Sequence, residues 1–248
     1  MQELSKQDKI FLSNTRKRVG KAVEKYKLIK ESDNVLIAVS GGKDSLFLLE
    51  SLAIQRKHFP IKFKLQALHI QVDDAPYKID NPFLEELCKE YSIPLHYRNI
   101  ELGDLSESKK SPCFVCSWNR RKILFETTKE LKCNKLALGH HMDDAIETLL
   151  LNMSYHGNIS SMPPAVSMFN GAFEIIRPLL LCEEKNILKY SETRKFPDEI
   201  ELCPFEDKGK RLEMKKLVQQ MADLNKNARI NLYRSMTNID LEYLPEKS

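Results

Sequence analysis

The run Val35-Leu36-Ile37-Ala38-Val39 stops at Ser40-Gly41-Gly42-Lys43-Asp44-Ser45, and Leu46-Phe47-Leu48-Leu49 follows at once. A near-continuous β-branched and aliphatic stretch of that length reads as a strand covered on both faces. The apolar and polar mixture after the glycines reads as a helix. A buried strand that turns into a helix through a glycine pair points to the α/β class, whose parallel strands carry their loops to one edge. The same turn makes an anion cradle. Glycine lets backbone approach a phosphate closely, and the N–H groups of the first helical turn aim at bound charge. Lys43 adds a positive point charge, and Ser40 and Ser45 add hydroxyl donors. Asp44 does not favour a bare phosphate, so its natural role is to hold a Mg²⁺ that bridges phosphates. The segment reads as a nucleotide site. An ordinary glycine turn would leave Lys43, Asp44 and both serines idle.

The commoner nucleotide loops do not fit. In a Walker A loop the lysine precedes Ser or Thr, but Asp44 follows Lys43, and Ile37 sits where the first glycine belongs. The dinucleotide pattern Gly-x-Gly-x-x-Gly is also absent here.

Around this turn the chain alternates. Apolar runs at 34–40, 65–72, 95–100 and 135–140 read as strands, with helical spacing at 44–57, 81–92, 116–132 and 143–155. This predicts a Rossmann-like α/β fold, a parallel sheet with helices on both faces. Gln71-Val72-Asp73-Asp74 and Gly139-His140-His141-Met142-Asp143-Asp144 each follow an expected strand, so both should share the sheet edge of the glycine loop. A basic amphipathic helix is expected over 4–30, with Ile10, Phe11, Val19, Val23 and Tyr26 for its apolar face. Met162-Pro163-Pro164 interrupts the later pattern. A strand over 173–179, a helix over 183–195 and one or two basic helices over 207–237 complete it. The expected division is an N-terminal helix (1–30), a nucleotide-binding domain (31–200) and a C-terminal helical extension (201–248).

At 248 residues the chain can bury a substantial core. The first residues lack a signal-peptide apolar region and no apolar run nears bilayer length, so a cytoplasmic location without membrane attachment is expected. In that reducing setting the six cysteines read as metal ligands, redox groups or core residues rather than disulfides. The net charge of +4 is modest, but basic residues cluster in the first thirty positions, at Arg120-Arg121-Lys122 and between Lys208 and Lys216. Such stripes suit a nucleic-acid backbone, and solvated helix faces explain any one of them equally well.

Cys113-Phe114-Val115-Cys116 opens a helix after Ser111-Pro112. A helix N-terminus and nearby Arg120 and Arg121 favour thiolates. A thioredoxin-type dithiol lacks its usual surroundings, a zinc site needs two more ligands, and an iron–sulfur site needs at least one further cysteine. Cys203, before Pro204, is the best third candidate, with Cys182 in reserve. Cys88 and Cys133 read as core residues.

Taken in order, Ser40–Ser45, Cys113-x-x-Cys116, Gly139–Thr148, Met162-Pro163-Pro164, Ile176-Arg177-Pro178-Leu179, Cys182–Ile187 and Cys203 resemble the tRNA 2-thiocytidine synthetase (TtcA) family of PP-loop ATP pyrophosphatases. The likeness spans residues 15 to 205 or so. It implies the adenine nucleotide alpha hydrolase-like fold and an ATP- and Mg²⁺-dependent sulfurtransferase acting on a cytidine of the tRNA anticodon loop, position 32 in the family. It also implies a [4Fe-4S] cluster held by three cysteines, which map onto Cys113, Cys116 and Cys203. A homodimer and a cysteine desulfurase or other sulfur donor belong to the same picture. Ser40, Gly41, Gly42, Lys43 and Ser45 would hold pyrophosphate and Asp44 the metal. Asp143 or Asp144 would orient Mg²⁺ or act as a base, His140 and His141 would donate to phosphate or nucleobase, and Arg177 would reach a phosphate. Alternatives are a 2-thiouridine-forming enzyme, a PP-loop amide-forming or lysidine-type ligase, and a non-catalytic metal-stapled RNA-binding module.

Overall fold

A computed structural model describes residues 4–73, 81–103, 111–197 and 210–244. Two compact units emerge, one from Met1–His141 with Pro163–Asp207, the other from Met142–Met162 with Lys208–Ser248.

The first unit is built on a six-stranded sheet in the order β3-β2-β1-β4-β6-β5. Its strands are β1 (Asn34–Ala38), β2 (Lys64–Val72), β3 (Leu95–Ile100), β4 (Lys135–Ala137), β5 (Ala165–Met168) and β6 (Phe173–Ile176). All neighbours pair in parallel except β5 and β6, which form an antiparallel hairpin. Side-chain alternation assigns the two faces. Val35 and Ile37 of β1 join one apolar cluster, and Leu36 joins the other. The first cluster is completed by α1 (Lys6–Lys25), α2 (Lys43–Arg56), α3 (Asn81–Glu90) and α6 (Glu184–Arg194). The second is completed by Ile123, Leu124 and Phe125 of α4 (Pro112–Glu130). The expected α/β sandwich is therefore present. Helix α2 is buried on nearly every side from Ser45 to Ala53, as befits a helix lying between a sheet and the outer helices α1 and α6.

Several expectations needed revision. The N-terminal helix ends at Lys25, because Lys27 adopts a left-handed φ of 52° and turns Leu28 and Ile29 back into the core. Its inward face is Leu12, Thr15, Val19, Ala22 and Val23, whereas Ile10 is exposed. The strand over 173–179 stops at Ile176. The Arg177 N–H still donates to the Pro164 carbonyl in register with β5, but neither Pro164 nor Pro178 has an N–H to give, and the ladder ends there. Strand β5 was not expected, since four residues after a proline pair carry too short a pattern to register.

The second unit holds α5 (Met142–His156), α7 (Lys210–Leu224), α8 (Ala228–Ser235) and a short 3₁₀ turn at Leu241–Tyr243. Met142, Ile146 and Val218 form its core with Leu150, Leu232 and Tyr233. No helix among the described residues is long and apolar enough to cross a membrane.

Candidate functional site

The glycine loop leaves β1 as the sequence anticipates. Gly41 has a φ of 94°, a left-handed conformation that side chains resist, and Gly42 is the N-cap of α2 with no side-chain cap. The serines shape the loop. Ser45 Oγ donates to the Gly42 carbonyl at 2.9 Å and accepts from the Ser40 N–H at 3.1 Å, while Ser40 Oγ accepts from the Gly42 N–H at 3.3 Å. Two hydroxyls thus brace the turn from within.

Lys43 Nζ lies 3.1 Å from Asp44 Oδ2 and 3.4 Å from Glu184 Oε1. Burial pulls the ammonium pKa down, and the two carboxylates outweigh it, so the group stays charged with a raised pKa. Asp44 Oδ1 is buried without a hydrogen-bond partner, and His141 Nε2 stands 3.9 Å from it. An orphaned carboxylate oxygen is costly unless a cation or donor completes it. A hard divalent ion such as Mg²⁺ suits that oxygen.

The loop after β4 closes on this turn. A Cβ on Gly139 would meet the Asp44 carbonyl carbon and the Ser45 nitrogen at 3.4 Å, so the loop is in van der Waals contact with the start of α2 and has room for little more than a methyl group. His141 is buried and bridges to Leu179 as a one-residue extension of the parallel sheet. Arg177 Nε donates to His140 Nδ1 at 3.3 Å, and its Nη1 donates to the Pro163 carbonyl at 2.7 Å. Burial lowers the guanidinium pKa. Ser40, Gly41, Gly42, Lys43, Asp44, Ser45, His140, His141 and Arg177 all belong to the first unit.

Asp143 and Asp144 begin the second unit. Asp143 accepts from Arg229 Nε at 2.8 Å, and Asp144 accepts from Arg211 Nη2 at 2.5 Å. Arg211 Nε also reaches Glu147 at 3.2 Å, where burial raises the carboxyl pKa against the pull of the guanidinium. These pairs clasp α7 and α8 to α5. Asp73 accepts from the Asn99 amide at 3.0 Å, a strand-end role. Asp74 and Cys203 lie outside the described residues.

The described cysteines divide by environment. Cys88, Cys133 and Cys182 are buried, and burial pushes their thiols up to about 11, 11 and 12. They are core residues, Cys182 included. Cys113 is exposed and Cys116 half-buried on the first turns of α4, whose N-cap Ser111 accepts from the Phe114 N–H. Spaced three apart, the two thiols share a helix face. Among the described residues no cluster of three metal-binding side chains is assembled. The donor set still suits a cluster with a third ligand elsewhere: only these two described thiols escape burial.

Two residues at this site had no assigned role in the sequence. Glu184, the partner of Lys43, sat unremarked within Cys182–Ile187. His69 on β2 is buried with Nδ1 2.8 Å from the Val39 carbonyl, where burial lowers its pKa and a neutral ring holds the strand end. A histidine inside an apolar strand was the available signal.

A PP-loop domain model matches residues 12–198. A tRNA-cytidine(32) 2-sulfurtransferase of Geotalea uraniireducens is 33% identical over 247 residues, covering 97% of each chain. One from Citrifermentans bemidjiense is 35% identical over 236 residues, covering 93% of this chain and 92% of its own. One from Vibrio cholerae is 36% identical, covering all of this chain and 82% of its own. Among solved structures, the U34-tRNA thiolase NcsA from Methanococcus maripaludis with its [4Fe-4S] cluster superposes with a TM-score of 0.73 at 23% identity, covering 96% of this chain and 81% of that one. That likeness speaks to the fold.

Proposed function

We infer the chemistry from one premise: this chain belongs to the PP-loop domain family and, within it, to the tRNA-cytidine(32) 2-sulfurtransferases. It is an enzyme that uses ATP to replace the C2 oxygen of a tRNA cytidine with sulfur. That oxygen is a poor leaving group. Its attack on the α-phosphate expels pyrophosphate and leaves an adenylate, so that AMP departs when sulfur enters at C2.

The observation that carries the division of labour is the buried, partnerless Oδ1 of Asp44 at the glycine-capped start of α2. Asp44 would hold Mg²⁺, whose charge would offset that of the phosphates. Gly41, Gly42, the start of α2 and Lys43 hold the departing pyrophosphate, and Ser40 and Ser45 keep the loop in shape. Such fixed charge acts where negative charge builds up. His140, oriented by Arg177, faces phosphate or base. Asp143 or Asp144, held here by Arg229 and Arg211, would be the carboxylate to orient Mg²⁺ or accept a proton.

Cys113 and Cys116, with Cys203 of the C-terminal extension over 201–248, would hold a [4Fe-4S] cluster. When bound, it supplies the sulfur-handling chemistry. The exposed Cys113 beside the half-buried Cys116, and the cluster in the NcsA structure, support this assignment. The enzyme works in the cytoplasm as a homodimer and draws sulfur from a cysteine desulfurase or another donor.

Nucleoside mass spectrometry of tRNA from a deletion strain tests the reading. Loss of 2-thiocytidine is expected, while intact 2-thiocytidine with missing 2-thiouridine would select the other thiolase reading. With purified protein, Asp44→Asn should keep its iron yet lose AMP formation at least about 100-fold. Cys113→Ser and Cys203→Ser should lose iron and thiolation. AMP formation on tRNA without thiolation, unaffected by both substitutions, would favour a ligase.

A further inference from the structure

One face of α4 remains unused by this reading. Trp118, Arg121, Lys122, Phe125 and Lys129 recur at helical spacing along it and, with Phe169 from the β5–β6 turn, line an open hollow of about 360 Å³. That volume lies within the range of ligand sites. Trp118 is 59% exposed and Phe169 53%. Single exposed apolar residues need no explanation, but two large rings beside one hollow do.

The hairpin tip carries an independent signal. Phe169 has a φ of 50° and Asn170 a φ of 56°. Asparagine is at ease there, whereas a left-handed phenylalanine is strained and persists where its surroundings demand it. The strain turns a ring toward solvent beside α4. Lys129 Nζ sits 4.0 Å from the centre of that ring, and Phe125 meets its edge at 5.7 Å. Phe114 and Trp118 lie 9° from parallel with centroids 6.5 Å apart, so the aromatic face reaches back to the turn that bears Cys113 and Cys116.

Charge narrows the occupant. Arg121, Lys122 and Lys129 line the hollow against one anion, Glu126, which lies 4.0 Å from Lys122. Arg120 turns inward to the Ile70 carbonyl, so its two neighbours face outward from the basic run. Cations interleaved with aromatic faces are what unpaired nucleotides require: the bases stack and the phosphates pair. An apolar peptide would leave the cations unmatched.

We propose that this hollow docks unpaired nucleotides of the tRNA anticodon loop, with bases stacking on Trp118 and Phe169 and flanking phosphates held by Arg121, Lys122 and Lys129. The inference rests on the sulfurtransferase reading for its ligand and adds the surface that receives it.

Trp118 is the only tryptophan in the chain, so its fluorescence reports on this spot. A synthetic anticodon stem–loop RNA with an unmodified loop cytidine should quench it, and the same stem closed as a duplex should not. Measured with fluorescently labelled RNA, Trp118→Ala and Phe169→Ala should each bind roughly 5- to 100-fold more weakly, and Trp118→Phe should retain most of the affinity. Lys129→Ala should reduce the salt dependence of binding by about 0.7 in the log–log slope. Unchanged melting temperature and ATP binding certify the fold of each variant. Wild-type affinity in both alanine variants overturns the proposal. So does conversion of a wild-type dimer to monomers by Trp118→Ala, which would make the hollow a self-interface. Thiolation by wild type with RNA binding indifferent to these variants sinks this surface alone. Variant-sensitive RNA binding without any thiolation sinks the functional reading and leaves the surface standing.

Discussion

Glu50 is the residue whose loss should cost the fold most per atom changed. It lies fully buried on α2, in the middle of an apolar run. Oε1 accepts from Arg194 at 2.6 and 3.0 Å and from the Tyr91 hydroxyl at 3.1 Å, while Oε2 accepts from the Tyr190 hydroxyl. Tyr190 in turn accepts from Arg16 at 2.9 Å, so one carboxylate joins α2 to α1, to α6 and to the end of α3. Burial first, then the charge of Glu50, raises the phenol pKa of both tyrosines and keeps them donors. Glu50→Gln keeps the shape but sets an amide nitrogen against donors and strips Arg194 of its counter-charge. Removing one member of a buried ion pair costs about 3–5 kcal/mol. The Arg194 side chain is 31% exposed and can regain water, which favours the lower end, about 3 kcal/mol. With a urea slope of about 2 kcal/mol/M, the midpoint should fall by about 1.5 M with the slope unchanged. Urea unfolding followed by circular dichroism reads this directly. Glu50→Met with Arg194→Met should lose less than the sum of the single variants, because neither charge is then stranded, although the Tyr91 and Tyr190 hydroxyls still lose their acceptor. A midpoint shift below about 0.3 M, or strictly additive single variants, would refute the network as described.

Three further outcomes follow from the same neighbourhoods. Glu184→Gln frees Lys43 from one carboxylate competitor and should tighten ATP binding by about two- to five-fold in calorimetry, the scale of a partly exposed pair; weakening would instead make Glu184 a positioning residue. Gly139→Val should abolish AMP formation while Gly139→Ala retains much of it, since a bare Cβ meets Asp44 and Ser45 at 3.4 Å and a larger side chain has to displace them. Stability should decline between pH 9 and 11: Cys88 and Cys133 ionise near 9.0 unfolded but are pushed up to about 11 by burial, so the unfolded chain releases their protons first. A melting temperature no lower at pH 10 than at pH 8 would contradict that.

The legible parts of this molecule were those whose physics is local. A glycine pair between a buried strand and a helix needs only its own backbone to make a cradle, and Gly41 and Gly42 do so. Cys88 and Cys133 could be read as core residues from their apolar neighbours. What escaped depends on residues far apart in the chain. Nothing near Asp143 or Asp144 announces that Arg229 and Arg211 will hold them. Charge runs were ambiguous for the same reason, since only the fold decides that Arg121 faces outward while Arg120 turns in.

Helix α2 makes the limit plain, because it carries two acidic residues that composition cannot tell apart. Asp44 and Glu50 are both carboxylates, one between Lys43 and Ser45 at the start of the helix and the other after Leu48-Leu49 in its apolar run. A charge in such a place needs a partner, and that much the sequence says of each. The structure supplies donors from Arg194, Tyr91 and Tyr190 to Glu50, which closes its account inside the protein. Asp44 receives Lys43 on one oxygen, and its other oxygen is left without a hydrogen bond. Glu50 is fully buried, whereas the Asp44 side chain is 29% exposed with only Oδ1 shut away. It is the unmet valence of Asp44, set at the mouth of an anion cradle, that marks it as the carboxylate kept for a ligand rather than for the fold.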